Sequence, residues 1–285
     1  MDAIDPDMDL LAYWNLRERP FEATWDIRFF YQSRSHDEAL NRLCFLVGEQ
    51  SMNMGMLTGE IGCGKTLTRS VFARRLDPLR YYVVTQENSS FAFKELLVSV
   101  LRVIEGEALI DTKMSKFNLC ERLRKVAFRL QAENRHLVMI FDEAQEMTPA
   151  ALNELKLLTN LNGGGLNFLT IVLLGQPELR HLVARLPAIN QRISLRFHLG
   201  PLNLAECGAY LQHRLRASGH PTGDLFAGDA TERLFQASQG IPRQLNRLAK
   251  LALEFAWLRE MPQVNLPAVD TVVRDLERHQ SLPIV

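Results

Sequence analysis

The eight residues GEIGCGKT, Gly59–Thr66, constrain this chain more than any other feature. They lie between a short apolar run, Met52–Thr58, and a segment of helical period, Lys65–Leu76, so the local order reads strand, glycine-rich loop, helix. Glycines let such a backbone wrap inward until successive N–H groups point at one spot, and the helix that follows adds its positive end. That is a cradle for phosphates. The spacing meets G-x-x-x-x-G-K-[ST] at every fixed position. Lys65 is expected to reach the β- and γ-phosphates of a triphosphate, and Thr66 to ligate magnesium. Gly59, Glu60, Ile61, Gly62, Cys63, Gly64, Lys65, Thr66 and the adjoining Leu67 are therefore the expected nucleotide contacts.

A second motif supplies what the first lacks. LVMIFDEAQ, Leu137–Gln145, is an apolar strand ending in two acids, which puts Asp142 and Glu143 at the carboxyl edge of a sheet, where open α/β sheets bind ligands. Asp142 is expected to hold the magnesium through water, and Glu143 to orient and deprotonate the attacking water. Gln176, in TIVLLGQPEL, follows another buried strand, expected between the other two, so its amide can reach the γ-phosphate or that water. Arg192 and Arg196, four apart in INQRISLRF, are candidates for the charge that stabilises a transferring phosphoryl group, with the choice between them open. Arg243, behind Gly240 and Pro242 at the start of a helical stretch, is placed to swing toward the γ-phosphate.

The rest of the pattern gives the architecture. Tyr81–Thr85, His136–Phe141 and Phe168–Leu174 read as strands, and Phe91–Ile104, Lys116–Glu133 and Pro149–Leu161 as helices, the last with Thr148 as cap and Pro149 in its first position. Strands alternating with helices imply a parallel sheet. A helix over Ser35–Gln50 is expected, with Ser35 and Glu38 forming a capping box. After Pro201 the period is helical throughout, over Leu204–Ser218, Asp229–Ser238, Arg243–Arg259 and Leu266–Arg278. The expected organisation is an irregular, aromatic-rich segment 1–35 packed on the following domain, an α/β nucleotide-binding domain 36–200, and a small helical domain 201–285.

With 47% hydrophobic and 23% charged residues, 285 residues suffice for such cores without staples. Basic and acidic residues balance at 33 each, so net charge names no partner, although a local basic stripe can hide in a neutral total. Cys44, Cys63, Cys120 and Cys207 are scattered without CxxC or ligand-spaced histidines, which suggests neither disulfides nor zinc and fits a reducing cytoplasm. The opening MDAIDPDMDLLAYW is acidic where a secretion signal needs basic residues, and no apolar run approaches the roughly 20 residues of a spanning helix.

Taken in order, these stretches resemble the ExeA/GspA-like AAA+ ATPases: YWNLRERPFEATWDIRFFYQSRSHDEALNRL, LTGEIGCGKT, IFDEAQEMTPAALNELKLLTNL, VLLGQPEL, NQRISLRFHLGPL and SQGIPRQLNRLAK, over roughly residues 13–260. The resemblance implies a P-loop AAA+ module, a parallel sheet flanked by helices followed by a small all-helical lid, that binds and hydrolyses Mg-ATP. It implies Walker A at Gly59–Thr66, Walker B at Asp142–Glu143, sensor 1 at Gln176, arginine-finger candidates Arg192 and Arg196, sensor 2 at Arg243, and His36 near the adenine. The secretion proteins of that family continue into a transmembrane segment and a periplasmic peptidoglycan-binding part, and this sequence has neither pattern, so it resembles a short form.

What the resemblance implies about use is divided. One reading is a cytoplasmic ATPase that forms a homo-oligomer, ring or helical filament, with ATP and drives or positions a membrane-associated assembly of the secretion, pilus or export type. Another, through more distant similarity to the TnsC, TniB and MuB transposition ATPases, binds target DNA and recruits a transposase; Arg69, Arg74, Arg75 and Arg80, or Arg122, Arg124 and Lys125, would supply its basic surface. A tight-binding switch without turnover is the third, and Glu143 argues against it.

Overall fold

A computed structural model of the chain describes residues 6–163 and 165–280. They form two compact units, one of residues 36–60 and 65–199, the other of residues up to 35, 61–64 and from 200 onward. The first unit is α/β. Its strands β1 (Met54–Gly59), β2 (Tyr81–Gln86), β3 (His136–Phe141), β6 (Leu169–Gly175) and β7 (Leu195–Leu199) make one five-stranded sheet in the order β2-β3-β6-β1-β7, every pair parallel. A two-residue hairpin, β4 (Asn162–Gly163) and β5 (Leu166–Asn167), precedes β6.

Burial follows position in that order. Every residue of β1, β3 and β6 is buried, which is why these strands read as unbroken apolar runs: both faces of a central parallel strand are covered. The edge strands β2 and β7 are half-buried, and β7 alternates Arg196 and His198 outward between apolar residues. Helices α2 (Arg34–Gly48), α3 (Lys65–Arg75), α4 (Phe93–Glu105), α5 (Lys116–Ala132) and α6 (Pro149–Glu154) are joined by α7 (Glu178–Ala184) and α8 (Pro187–Asn190). Leu96, Leu97 and Leu101 of α4 and Leu119 and Leu123 of α5 share one core with Met139, Phe141 and Ile171 of the sheet. Thr148 caps α6 by accepting the Ala151 N–H, with Pro149 at its first turn, as expected.

Two local expectations are corrected. Ser35 does not cap α2: the helix begins at Arg34, and the Ser35 hydroxyl instead accepts the Gly200 N–H at 3.2 Å. The helix expected over Pro149–Leu161 stops at Glu154, and Leu155–Asn160 tightens into a 3-10 turn that buries Leu155 and Leu158, three apart, together with Thr159.

The second unit is helical. Helices α9 (Leu204–Ala217), α10 (Gly228–Ser238), α11 (Pro242–Leu258) and α12 (Leu266–Gln280) pack around Leu211, Leu215, Leu234, Leu245 and Leu253, with Ala249, Ala252 and Ala256 allowing close approach. The N-terminal segment was expected to be irregular and to lie on the domain that follows it. It instead contains a helix, α1 (Pro6–Tyr13), and Leu10, Trp14, Leu16 and Phe21 complete the core of the helical unit. Arg214 explains the attachment: its guanidinium, 4% exposed, donates to the carbonyls of Pro20 and Glu22 and stacks over Phe29 at 4.6 Å. Among the described residues no helix is long and apolar enough to cross a membrane. The cysteines are free thiols, Cys63 and Cys207 buried and Cys44 and Cys120 half-buried.

Candidate active site

The carboxyl ends of β1, β6 and β3 lie side by side, because β6 pairs with both neighbours. The chain leaves these three tips as the glycine-rich loop, as Gln176 and as Asp142–Glu143. Gly59 closes β1 where a side chain has no room: a Cβ there would stand 2.8 Å from the Leu199 carbonyl of β7. Lys65 opens α3 and is buried, its ammonium donating to the carbonyls of Gly59 at 2.7 Å and Glu60 at 3.1 Å. Thr66 and Leu67 follow, half-buried.

Residues 61–64 belong to the other unit. Gly62 (φ +88°) and Gly64 (φ +94°) adopt the left-handed backbone that glycine tolerates, Cys63 is buried, and Ile61 and Glu60 are exposed. A Cβ on Gly62 would meet that of Arg243 at 2.5 Å, and the Arg243 N–H donates to the Gly62 carbonyl at 3.2 Å. The first turn of α11 is thus in backbone contact with this segment, while the Arg243 residue is exposed.

Asp142 is 3% exposed. Its Oδ1 accepts the Glu143 N–H at 3.0 Å, its carbonyl accepts the Ser89 hydroxyl at 2.6 Å, and Arg69 Nη1 stands 3.1 Å from its Oδ2. That last contact is an ion pair without hydrogen-bond alignment, since Arg69 Nη1 is buried and makes no hydrogen bond. Arg69 Nη2 donates to Glu87 at 2.9 Å. Burial pushes the Asp142 carboxyl above its ordinary value, and Arg69, the Glu143 N–H and Lys65 pull part of the way back.

Glu143 takes a left-handed turn (φ +49°) straight after the strand. Its Oε2 accepts the side-chain amide of Gln145 at 2.7 Å and that of Gln176 at 3.4 Å. Gln145 also accepts the Gln176 N–H on its own Oε1 at 3.0 Å. The sequence reading had Gln145 inside its motif without a role, because its importance lies in a contact with a strand 31 residues further on.

The structure thus brings Glu143 together with Gln176, and Asp142 with Arg69, a residue expected only as part of a basic surface. Arg192 and Arg196 have other partners. Arg192 donates to the Thr159 hydroxyl and the Ala188 carbonyl, and Arg196, exposed on β7, donates to the carbonyl and side chain of Asn190. His36 is buried in the first turn of α2. The expected basic sets are depleted: Arg69 is 7% exposed and paired, Arg122 pairs with Glu105 at 2.6 Å, and Arg124 lies 3.6 Å from Glu121.

These residues fit a magnesium nucleotide. Gly62 and Gly64 carry positive φ and Lys65 is buried at the start of α3, the residue types that phosphate binding calls for, and Thr66 and Asp142 are hard oxygen donors. Among the described residues no group of three or more His, Cys, Asp or Glu could hold a metal ion. Magnesium bound largely through phosphate oxygens and water needs no such cage.

The family model described as AAA domain matches residues 49–183. General secretion pathway protein A of Aeromonas hydrophila is 31% identical over 249 residues, 87% of this chain and 45% of that protein, so the chain spans less than half of that relative's length. Among solved structures, the Aeropyrum pernix ORC2 protein in its ADPNP–ADP complexes superposes with a TM-score of 0.66 at 16% identity, covering 93% of this chain and 74% of that one. Drosophila ORC bound to DNA gives 0.65 at 16% identity, covering 97% and 68%. The Thermotoga maritima RuvB Holliday junction branch migration motor gives 0.55 at 14%, covering 84% and 69%. At such identities these structures speak for the fold alone. The strand order, the glycine-rich loop, the paired acids and the secretion-protein relative agree: this chain carries an AAA domain over residues 49–183 on a P-loop AAA+ fold and is similar to the ExeA/GspA-like AAA+ ATPases.

Proposed function

We propose that the chain binds Mg-ATP at Gly59–Thr66 and hydrolyses it, and that ATP drives its assembly into a homo-oligomer acting on a membrane-associated secretion, pilus or export assembly from the cytoplasmic side. The observation that carries the hydrolytic part is the seating of Glu143: its carboxylate is held by amides beside the tip of β6, one residue from the buried Asp142. Lys65 and the loop N–H groups bind the phosphates, with Leu67 and His36 on the nucleoside side. Thr66 and Asp142 hold the magnesium, which offsets phosphate charge when bound. Glu143 takes the proton of the attacking water, Gln176 orients that water or the γ-phosphate, and Arg243 has the sensor 2 role. Arg192 or Arg196 serves a neighbouring copy as the finger. The choice of assembly follows the similarity to General secretion pathway protein A.

The test is Glu143→Gln. It is expected to keep nucleotide affinity within about twofold and to lower phosphate release by at least about 100-fold, since a positioned base contributes about 10²–10⁴. The ATP-loaded variant should elute from gel filtration as an assembly larger than the nucleotide-free protein. Undiminished turnover would remove Glu143 from the role of base. Salt-sensitive retention of DNA by the ATP-loaded protein would turn the reading toward the transposition class.

A further inference from the structure

We infer that Gln145 is a positioning residue for the hydrolytic step, clamping Glu143 to the tip of the neighbouring strand. The inference rests on the hydrolytic reading above and adds a residue to it.

Both ends of one side-chain amide are used. Gln145 Nε2 donates to Glu143 Oε2 at 2.7 Å, with a longer contact of 3.4 Å to Glu146 Oε1, and Gln145 Oε1 accepts the Gln176 N–H at 3.0 Å. The direct tie between Gln176 Nε2 and Glu143 is 3.4 Å, near the limit of a hydrogen bond, so Gln145 supplies the firmer hold. The seat is built for this amide. Gly175 ends β6, and a Cβ on it would stand 2.7 Å from Gln145 Oε1 and 2.9 Å from Leu179 Cδ2. Gln145 itself sits in the 3-10 turn Ala144–Glu146, fixed by the buried Ala144 on one side.

The consequence concerns one oxygen. With Oε2 held, Glu143 keeps Oε1 to accept a proton as water oxygen bonds to the γ-phosphorus, the bridging P–O bond breaks and ADP leaves; the proton then passes to phosphate or solvent. A carboxylate free to rotate would lose that orientation, and misplacement of a reacting group is costly in rate even where binding is unaffected. Gln145 would therefore act on kcat and not on nucleotide affinity.

Two variants of the full chain test the clamp. Gln145→Leu removes both hydrogen bonds at similar volume, and Gln145→Glu keeps the acceptor for the Gln176 N–H while losing the donor to Glu143. Steady-state ATP hydrolysis, ADP affinity by fluorescence and thermal melting are measured on each. A lost hydrogen bond to a charged group is worth about 1.5–3 kcal/mol, so kcat is expected to fall about 10- to 100-fold in both. KM and ADP affinity should stay within about twofold. Unchanged kcat in a folded Gln145→Leu protein overturns the inference. So does a parallel fall in kcat and affinity with a lowered melting temperature, which marks a structural role. Should Gln145→Leu fail to fold, Gln145→Glu decides by the same split. An unsubstituted chain that binds ATP without hydrolysing it contradicts the proposed function as well, whereas hydrolysis that is indifferent to both variants contradicts this inference alone.

Discussion

His136 opens β3 at 2% exposure, its Nε2 2.8 Å from the Thr170 hydroxyl and its Nδ1 buried without a partner. Burial lowers its pKa from 6.5 to about 4. Between those values the unfolded chain binds a proton that the folded chain refuses, so stability is fully present above about pH 6.5 and is lost as pH falls toward 4. At about 1.36 kcal/mol per unit, this one residue is expected to remove about 3 kcal/mol across that window. Urea unfolding at several pH values should show it, and His136→Gln should flatten the profile there; an equal slope in both proteins would contradict the assignment. Lys65, Asp142, Glu143 and Gln176 could be picked out as candidates because each stands in or just after a strand–loop pattern local in the sequence. Arg69 and Gln145 were not, since each is defined by partners on other strands or loops: Asp142 and Glu87 for the first, Gln176 for the second.

Among the elements, the fully buried strands were readable as apolar runs, and β7 was not. LRFHL carries Arg196 and His198 on its outward side, and two charges or polar groups in five residues leave strand and helix equally open. Likewise the aromatics of residues 13–31 pointed to packing on the domain that follows, whereas Phe21 belongs to the helical core and Trp25 is exposed. Phe21 reaches the helical core and Phe29 lies beneath Arg214, both through contacts nearly two hundred residues away in the chain. Arg214 is the anchor of that strap, assisted by the Arg17 N–H on the Ser218 carbonyl and by Arg19 on Glu254 at 2.7 Å. Arg214→Ala leaves two carbonyls and a ring without their partner and is expected to cost about 2–4 kcal/mol. Limited proteolysis should then cut within residues 15–30 far earlier than in the unsubstituted chain. Arg214→Lys should not restore protection, because an ammonium cannot span the two carbonyls and the ring face together. Equal protection in Arg214→Ala would show the segment to be held by its apolar contacts alone.

For the molecule as a whole, the division into an α/β part and a helical part was readable from the change of period after Pro201, and the parallel sheet from alternating strands and helices. The allocation of the N-terminal segment to the helical unit was not, because nothing local records a partner so distant in sequence. Neutral net charge named no partner, and Arg69, buried against Asp142, shows how a basic residue in a sequence run can be taken inside the fold. The central proposal is that a nucleotide binds at the loop between β1 and α3. Isothermal titration of the purified chain with ATP in magnesium buffer addresses it directly, with Lys65→Ala alongside. Saturable binding near one nucleotide per chain, lost or weakened at least about 100-fold in Lys65→Ala, is the predicted result. Heats indistinguishable from dilution in the unsubstituted protein, or equal affinity in the two proteins, would contradict it.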